Sequence, residues 1–336
     1  MQIAMIGAGA WGIAMARSLA EAHPNVCLYA RNAETVAEMT ETRQHAAYLP
    51  GVLLPNQVKI TADLEEAVTN ADVVVLATPS KAIGTMAEAI RPWLTENALV
   101  ISAAKGLSPS GGRLSEDITA ALAGVTNEIA VISGPNHAEE VGRLLPAATV
   151  VAAARKETAM RAQDVYMLPH LRAYYSTDII GVEYGGALKN IIALAAGAVD
   201  GVGYGDNTRA TLITRGLAEI VRYAVHFGAR NETLFGLSGM GDLIVTCTSK
   251  HSRNHEAGRA LAQGLTETHI TQGTKKVVEG IRSTHIVYPV AQREGIEMPI
   301  TEQVYRVLSG ESSLQNALQN LMTRAKKEEH QEPVIL

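Results

Sequence analysis

The chain has 336 residues, 47% of them hydrophobic and 19% charged, and 29 basic against 34 acidic side chains leave a net charge of −5. That length accommodates two domains with cores of their own, and the apolar fraction excludes a disordered chain. The acidic balance excludes the basic footprint of a nucleic-acid binder, while a small anion needs only a few local donors. Cys27 and Cys247 are too few for a disulfide framework or a cysteine zinc site. Both are expected as reduced thiols in a cytoplasmic protein without a metal. The apolar start, Met1 to Ala20, is not read as a leader, because no basic residue precedes Arg17 and three glycines interrupt it. Gly185 to Val199 is read as too short to cross a membrane, and it carries Lys189 and Asn190.

In chain order, short β-branched runs alternate with helix-length segments, the pattern of a parallel sheet with crossover helices. Strands are predicted at Gln2–Ile6, Val26–Ala30, Val73–Ala77, Leu99–Ser102, Ile129–Ser133, Thr149–Ala153 and Arg172–Tyr175, with a weaker one at Val58–Thr61. Several are apolar throughout, as strands covered on both faces require. After Gly181 helical periodicity takes over, punctuated by glycines at 197, 201, 203 and 205 and again at 236, 239 and 241. These clusters are read as hinges for loops that close over a cleft. The expected division is a nucleotide-binding α/β domain over 1–180 and an all-α domain over 181–336. The charged run Arg324 to His330 reads as a solvated helix end leading into a disordered tail.

The first strand runs directly into Gly7-Ala8-Gly9-Ala10-Trp11-Gly12 at the start of a helix. Gly7 allows the tight turn, Gly9 lets a pyrophosphate approach the backbone, and Gly12 lets helix pack closely on strand. A strand before the motif and a βαβ unit after it are the context that makes it a dinucleotide site on a Rossmann-like, doubly wound sheet. The second strand ends Leu28-Tyr29-Ala30-Arg31-Asn32, with no acid at the tip to hold a ribose 2′-hydroxyl. Arg31 suits a 2′-phosphate, so NADP(H) is the expected preference with NAD(H) tolerated. Nearby Glu34 is read as a first-turn acid complementing the helix dipole.

Lys189 and Asn190 interrupt an otherwise apolar helix, Gly186 to Ala196. Burial and a neighbouring cation lower a lysine toward neutrality, which suits it to exchange a proton with an alkoxide. A lysine with a buried stem and solvated tip is the alternative, and the flanking alanines and isoleucines argue against it. Lys105 follows a strand's carboxyl end, where doubly wound sheets bind ligands. Gly134-Pro135-Asn136-His137 forms a second turn at the same edge; His137 is read as a surface or capping residue. Asp242, with Thr246 one helical turn later, suits the orientation of an ammonium. Ser252-Arg253-Asn254 places a bidentate fork between a hydroxyl and an amide, an anion-recognition trio that does not by itself separate phosphate from carboxylate.

With these residues assembled, the chain resembles the bacterial NAD(P)-dependent glycerol-3-phosphate dehydrogenases. The resemblance runs from the glycine turn to Glu297-Met298-Pro299-Ile300-Thr301-Glu302. Its most specific stretches are Ala104-Lys105-Gly106-Leu107, Ile132-Ser133-Gly134-Pro135, Gly186-Ala187-Leu188-Lys189-Asn190, Leu212-Ile213-Thr214-Arg215-Gly216, Gly241-Asp242-Leu243, Ser252-Arg253-Asn254 and Val277-Val278-Glu279-Gly280. It implies reversible hydride transfer between NAD(P)H and dihydroxyacetone phosphate, giving glycerol 3-phosphate for phospholipid synthesis. Lys189 matches the family's proton donor and acceptor. Lys105, Gly134, Asn136, Asp242, Ser252, Arg253 and Asn254 match substrate-side positions. Ala10, Trp11, Arg31, Lys105, Ala138, Arg253, Val277 and Glu279 match cofactor-side ones. Lys105 and Asn190 would stabilise the reacting oxygen, and Asp242 would hold Lys189. Asn136 stands where the family more often has Ser or Thr, and His137 where it often has an aromatic. A second domain of the 6-phosphogluconate dehydrogenase type and a homodimer are also implied. Two other readings are a hydroxyacid dehydrogenase on the same plan and a nucleotide-sensing regulator with no need for Lys189.

Overall fold

The computed structural model describes residues 1–272 and 277–329. Among them one eight-stranded sheet forms from β1 (Gln2–Ile6), β2 (Asn25–Tyr29), β3 (Lys59–Thr61), β4 (Val73–Leu76), β5 (Leu99–Ser102), β6 (Ile129–Ser133), β7 (Ala147–Ala153) and β8 (Leu171–Ser176). Every predicted strand is present, and the order across the sheet is β3-β2-β1-β4-β5-β6-β7-β8. The strand pattern alternates between two apolar layers. Ile3 and Met5 join one core with Ile13, Leu28 and Val73, while Ala4 and Ile6 join another with Val74, Leu76, Ile83 and Val100. A sheet with both faces covered leaves no place for a polar side chain mid-strand, which is why β1, β4 and β5 read as continuous apolar runs.

One strand pair departs from the expected parallel sheet. β6 and β7 run antiparallel, with Ala130 opposite Ala153 and Ser133 opposite Val150, whereas β7 and β8 are parallel. A parallel return needs a crossover helix across the sheet face. The connection from β6 carries only the one-turn helix Ala138–Val141, so the chain reverses beside β6 instead.

After β8 helices joined by loops make up the described residues, with no further strand among them. Asp178 opens the long helix Ile179–Val202 by accepting from the Gly181 N–H at 2.9 Å, and Gly203, at φ +89°, closes it. This helix is longer than the apolar stretch marked in the sequence, and by length and composition it matches a membrane span. Most of it is buried, with Leu188, Ile191 and Ile192 packing against Leu217, Tyr223, Leu243 and Val287 of the surrounding helices. It is the central post of the second half.

The expected glycine hinges are corrected by the packing. A Cβ on Gly197 would stand 1.9 Å from the His255 carbonyl oxygen, and one on Gly258 would stand 2.0 Å from that of Leu194. These glycines let helix Arg253–Ala262 lie directly on helix Ile179–Val202. Gly239 is equally enclosed, 2.0 Å from the Leu234 carbonyl oxygen, in a tight turn at Leu237–Gly241 that feeds helix Asp242–Thr248. Gly197 and Gly239 thus serve close approach, while Gly203 and Gly205 face open space.

Glu183, half-buried, and Glu219, buried, tie elements together. Glu183 accepts from the Ser115 N–H at 2.9 Å, joining the long helix to helix Leu114–Ala121 on the sheet. Glu219 accepts from the Thr301 N–H and Oγ1, both at 3.0 Å, at the start of helix Pro299–Leu308. Each supplies the acceptor that a helix N-terminus lacks. The last helix ends at Met322, and of the tail predicted beyond it residues 330–336 lie outside the described residues.

Candidate active site

β1 and β4 sit side by side while their connections leave in opposite directions, so a crevice opens at the carboxyl ends of these strands. The glycine turn lies there. Gly7 has φ +119°, and a Cβ would stand 2.9 Å from the Ala77 carbonyl oxygen; at Gly12 it would collide with Gly7 itself. Gly9 between them faces open space. The turn is therefore closed on its protein side and open on its outer side, which fits the approach of a pyrophosphate to bare backbone. Ala10 opens helix Ala10–Leu19, and Ala138 starts the short helix packed beside it. Trp11 is half-buried with no partner for its indole Nε1 among the described residues. Arg31 is exposed just beyond the end of β2, and Glu34 occupies the first turn of helix Ala33–Thr42.

The second half brings its long helix against this edge. Gly186 passes so close to the end of β6 that a Cβ would stand 2.6 Å from Ser133 Oγ. One turn further on, Lys189 is buried. Its Nζ bonds Asp242 Oδ1 and donates to Thr246 Oγ1 at 2.8 Å. Lys105 reaches from the loop after β5, donating to Asp242 Oδ2 at 2.8 Å and to the Gly134 carbonyl at 2.7 Å. One carboxylate thus carries two ammonium groups, one from each half of the chain. Lys105 Nζ also stands 6.0 Å from the Trp11 ring centroid, which links this group to the glycine turn.

Burial and charge set the protonation states. Burial brings the Lys189 ammonium down to about 7; Asp242 pulls it back up and Lys105 presses it further down. Burial opposes the charge on Asp242, but Lys105 and Lys189 outweigh it and hold the carboxyl below its usual range. The result is a firmly ionised carboxylate orienting a lysine that titrates near neutrality, the property a proton-exchanging group requires.

A polar chain runs outward from the lysines. Asn190 donates to the Lys105 carbonyl at 3.1 Å and accepts from Asn254 Nδ2 at 2.8 Å, while Asn254 Oδ1 accepts from the Gly280 N–H at 2.8 Å. Both ends of the Asn190 amide are engaged within the protein, so in this arrangement it positions Lys105 and Asn254. Ser252 caps its helix by accepting from the His255 N–H at 3.2 Å. Arg253 is exposed and donates to the Val277 carbonyl at 3.1 Å. Asn136 gives its amide N–H to the Ala148 carbonyl at 2.8 Å, leaving Oδ1 buried without a partner.

Sequence reasoning passed over three residues. Ser133 Oγ lies 3.4 Å from Asp242 Oδ2, and it stood inside a quoted motif from which only Gly134 was taken. Ser80 donates to Glu279 at 2.9 Å, and Arg282 donates to Ser80 Oγ at 2.9 Å and to the Leu107 carbonyl at 2.7 Å. These join Glu279 to loops beyond β4 and β5. The available signal was Arg282 one turn after Glu279 on the same helix face. Cys27 and Cys247 are buried free thiols, and burial pushes Cys247 up to about 12. Among the described residues no group of three or more His, Cys, Asp or Glu side chains is placed to hold a metal.

A doubly wound sheet with its glycine turn facing a buried Lys–Asp pair on an attached helical unit defines a two-domain dinucleotide-fold class. Within that class, the chain belongs to the NAD-dependent glycerol-3-phosphate dehydrogenase family. The N-terminal family description matches residues 2–159 and the C-terminal description matches residues 178–319. The glycerol-3-phosphate dehydrogenase [NAD(P)+] of Moorella thermoacetica is 48% identical over 97% of this chain and 97% of its own. That of Pelotomaculum thermopropionicum is 45% identical over 99% of this chain and 96% of its own. The solved glycerol-3-phosphate dehydrogenase of Coxiella burnetii superposes with a TM-score of 0.91 at 36% identity, covering 96% of this chain and 99% of that one.

Proposed function

We propose that this chain is an NAD(P)-dependent dehydrogenase that interconverts dihydroxyacetone phosphate and glycerol 3-phosphate, the product serving phospholipid synthesis. The carrying observation is Lys189, buried, brought down to about 7 and oriented by Asp242 and Thr246 beside the glycine turn. Family membership supplies the substrate.

The bound dinucleotide supplies or accepts the hydride. Gly7, Gly9, Ala10, Trp11 and Gly12 would hold its pyrophosphate, with Ala138, Val277, Glu279, Lys105 and Arg253 lining it. In the reducing direction Lys189 delivers a proton to the substrate oxygen; in the oxidising direction it takes one away. Asp242 stays ionised throughout and holds the ammonium in place. Lys105 adds a second positive charge where negative charge builds on that oxygen. Asn190, bonded to the Lys105 backbone and to Asn254, keeps the two ends of the site in register. Arg253, with Ser252 and Asn254, grips the phosphate, binding energy applied away from the reacting carbon. Gly134 and Asn136 border the substrate on the β6 side.

Arg31 carries the reading of an NADP(H) preference, and its exposed guanidinium at the tip of β2 supports it. Arg31→Ala is expected to raise the KM for NADPH about tenfold and to leave that for NADH unchanged. Equal losses with both coenzymes would remove Arg31 from that role. The division into 1–180 and 181–336, a cytoplasmic location and a homodimer belong to the same reading; sedimentation tests the last. For the activity itself, oxidation of NADPH is followed near ~340 nm, where reduced nicotinamide absorbs. Dihydroxyacetone phosphate is compared with a panel of keto acids and a blank. Turnover confined to a keto acid would overturn the assignment.

A further inference from the structure

His137 lies three residues past Gly134, whose carbonyl Lys105 bonds, and nothing in the reaction above uses it. It is the last residue before helix Ala138–Val141 and caps no backbone group. Its Nε2 is buried with no partner among the described residues. The ring centroid lies 6.0 Å from that of His251, which immediately precedes Ser252 and Arg253. The charges of Lys189 on the long helix and Lys105 in the loop after β5 act on it, as do the Val245 carbonyl of helix Asp242–Thr248 and Glu139 on its own turn. Burial, then Lys189 and Lys105, lower the imidazole from its ordinary value, against weaker opposing pulls from the Val245 carbonyl and Glu139. In the free protein the ring is therefore neutral near pH 7.

A neutral imidazole has one N–H. Whichever ring nitrogen carries that proton, the other is left with a lone pair in a setting of ammonium groups and a second histidine. Two ammonium groups on the single Asp242 carboxylate leave these surroundings short of negative charge. A dianionic group entering there reverses the balance: it draws a proton onto the ring and receives a charge-assisted hydrogen bond from it.

We propose that His137 is a substrate-contacting residue that takes up a proton when the substrate binds and donates a hydrogen bond to its phosphate. The assignment rests on the reading that this site takes a three-carbon phosphate. No covalent step is involved; one proton moves from solvent to the imidazole as the phosphate arrives. His137 thereby supplies phosphate affinity on the β6 side of the cleft, opposite Arg253, and makes that affinity depend on pH.

The test compares wild type with His137→Phe, which keeps an aromatic ring of similar size, and His137→Gln, which keeps a donor that does not titrate. KM for dihydroxyacetone phosphate and kcat are measured from pH 6 to 8.5. The ionisation of the substrate phosphate is common to all three and cancels in the comparison. His137→Phe is expected to raise KM about tenfold at the acid end and much less at the alkaline end. His137→Gln should recover part of the affinity with the flattened pH curve, and kcat and the KM for NADPH should stay within about threefold in both. A KM unchanged by either variant overturns the proposal. An equal rise at every pH, the mark of a neutral acceptor for a hydroxyl, overturns it too, as does a loss confined to kcat. Calorimetric titration with inorganic phosphate in buffers of different ionisation enthalpy probes the same contact without turnover. Proton uptake by wild type beyond that of His137→Phe supports it, and equal uptake overturns it. A wild type that turns over only keto acids would instead refute the substrate assignment, which leaves the two failures distinct.

Discussion

Asp242, Glu183 and Glu219 are each shielded from water, and they behave in opposite ways. Asp242, between Lys105 and Lys189, is held below the usual carboxylate range. Glu183 and Glu219, each receiving backbone N–H groups at the start of a helix, are pushed up by burial to about 7. Burial raises the proton affinity of all three, and the hydrogen bonds each accepts lower it. The difference lies in charge: two full ammonium groups against the partial charges of a helix end. Asp242 is bonded to two ammonium groups, while the hydrogen bonds on Glu183 and Glu219 come from backbone and hydroxyl donors.

The contrast makes its strongest prediction at Lys189. Lys189→Ala removes the proton-exchanging group and should lower kcat by roughly 10²–10⁴ while NADPH still binds, measured by turnover and by fluorescence titration of the coenzyme. Near-normal turnover would remove Lys189 from the role. Asp242→Asn leaves two ammonium groups facing each other. It should destabilise the fold by about 3–5 kcal/mol in urea titration, and it should shift the pH dependence of kcat to lower pH. Wild-type kcat for reduction should fall as pH rises through about 7, where Lys189 loses its proton, and kcat for oxidation should fall on the acid side of the same point.

Stability should follow the same division. Glu183 and Glu219 bind protons more tightly folded than unfolded between about 4.5 and about 7. Their contribution is complete at the acid end of that window and is lost as pH rises through it, up to about 3 kcal/mol for each. Lys189 binds its proton less tightly folded than unfolded between about 7 and 10.5, so its contribution to stability grows as pH rises there. Thermal melts across pH 5 to 9 check both slopes. The smallest expected effect is Glu183→Gln, which should flatten the acid-side slope and change stability at pH 7 by about 1 kcal/mol. An unaltered slope would mean that Glu183 does not titrate in that window.

Much of the fold was legible because strands buried on both faces must be apolar throughout, and those runs stand out in β1, β4, β5 and β6. The direction of β7 was not, since alternation is the same in either direction; only the short connection Gly134 to Pro146 bears on it. Lys189 was legible from its incongruity in an apolar helix. Gly197 and Gly239 were misread as hinges because a glycine's neighbours in space leave no mark beside it in the chain. Ser133, Ser80 and Arg282 escaped for the same reason, as common polar residues distinguished only by what they touch.

From sequence alone came the dinucleotide turn, the two-part organisation and the cast of charged residues at the site, because these rest on local pattern and on the incongruity of a residue with its neighbours. Tertiary structure alone decided how the charges are shared. Asp242 lies 53 residues from Lys189 and 137 from Lys105, yet gives each one oxygen. Proton affinity depends on depth and on charges a few ångströms away, and those distances exist only once the chain has closed on itself.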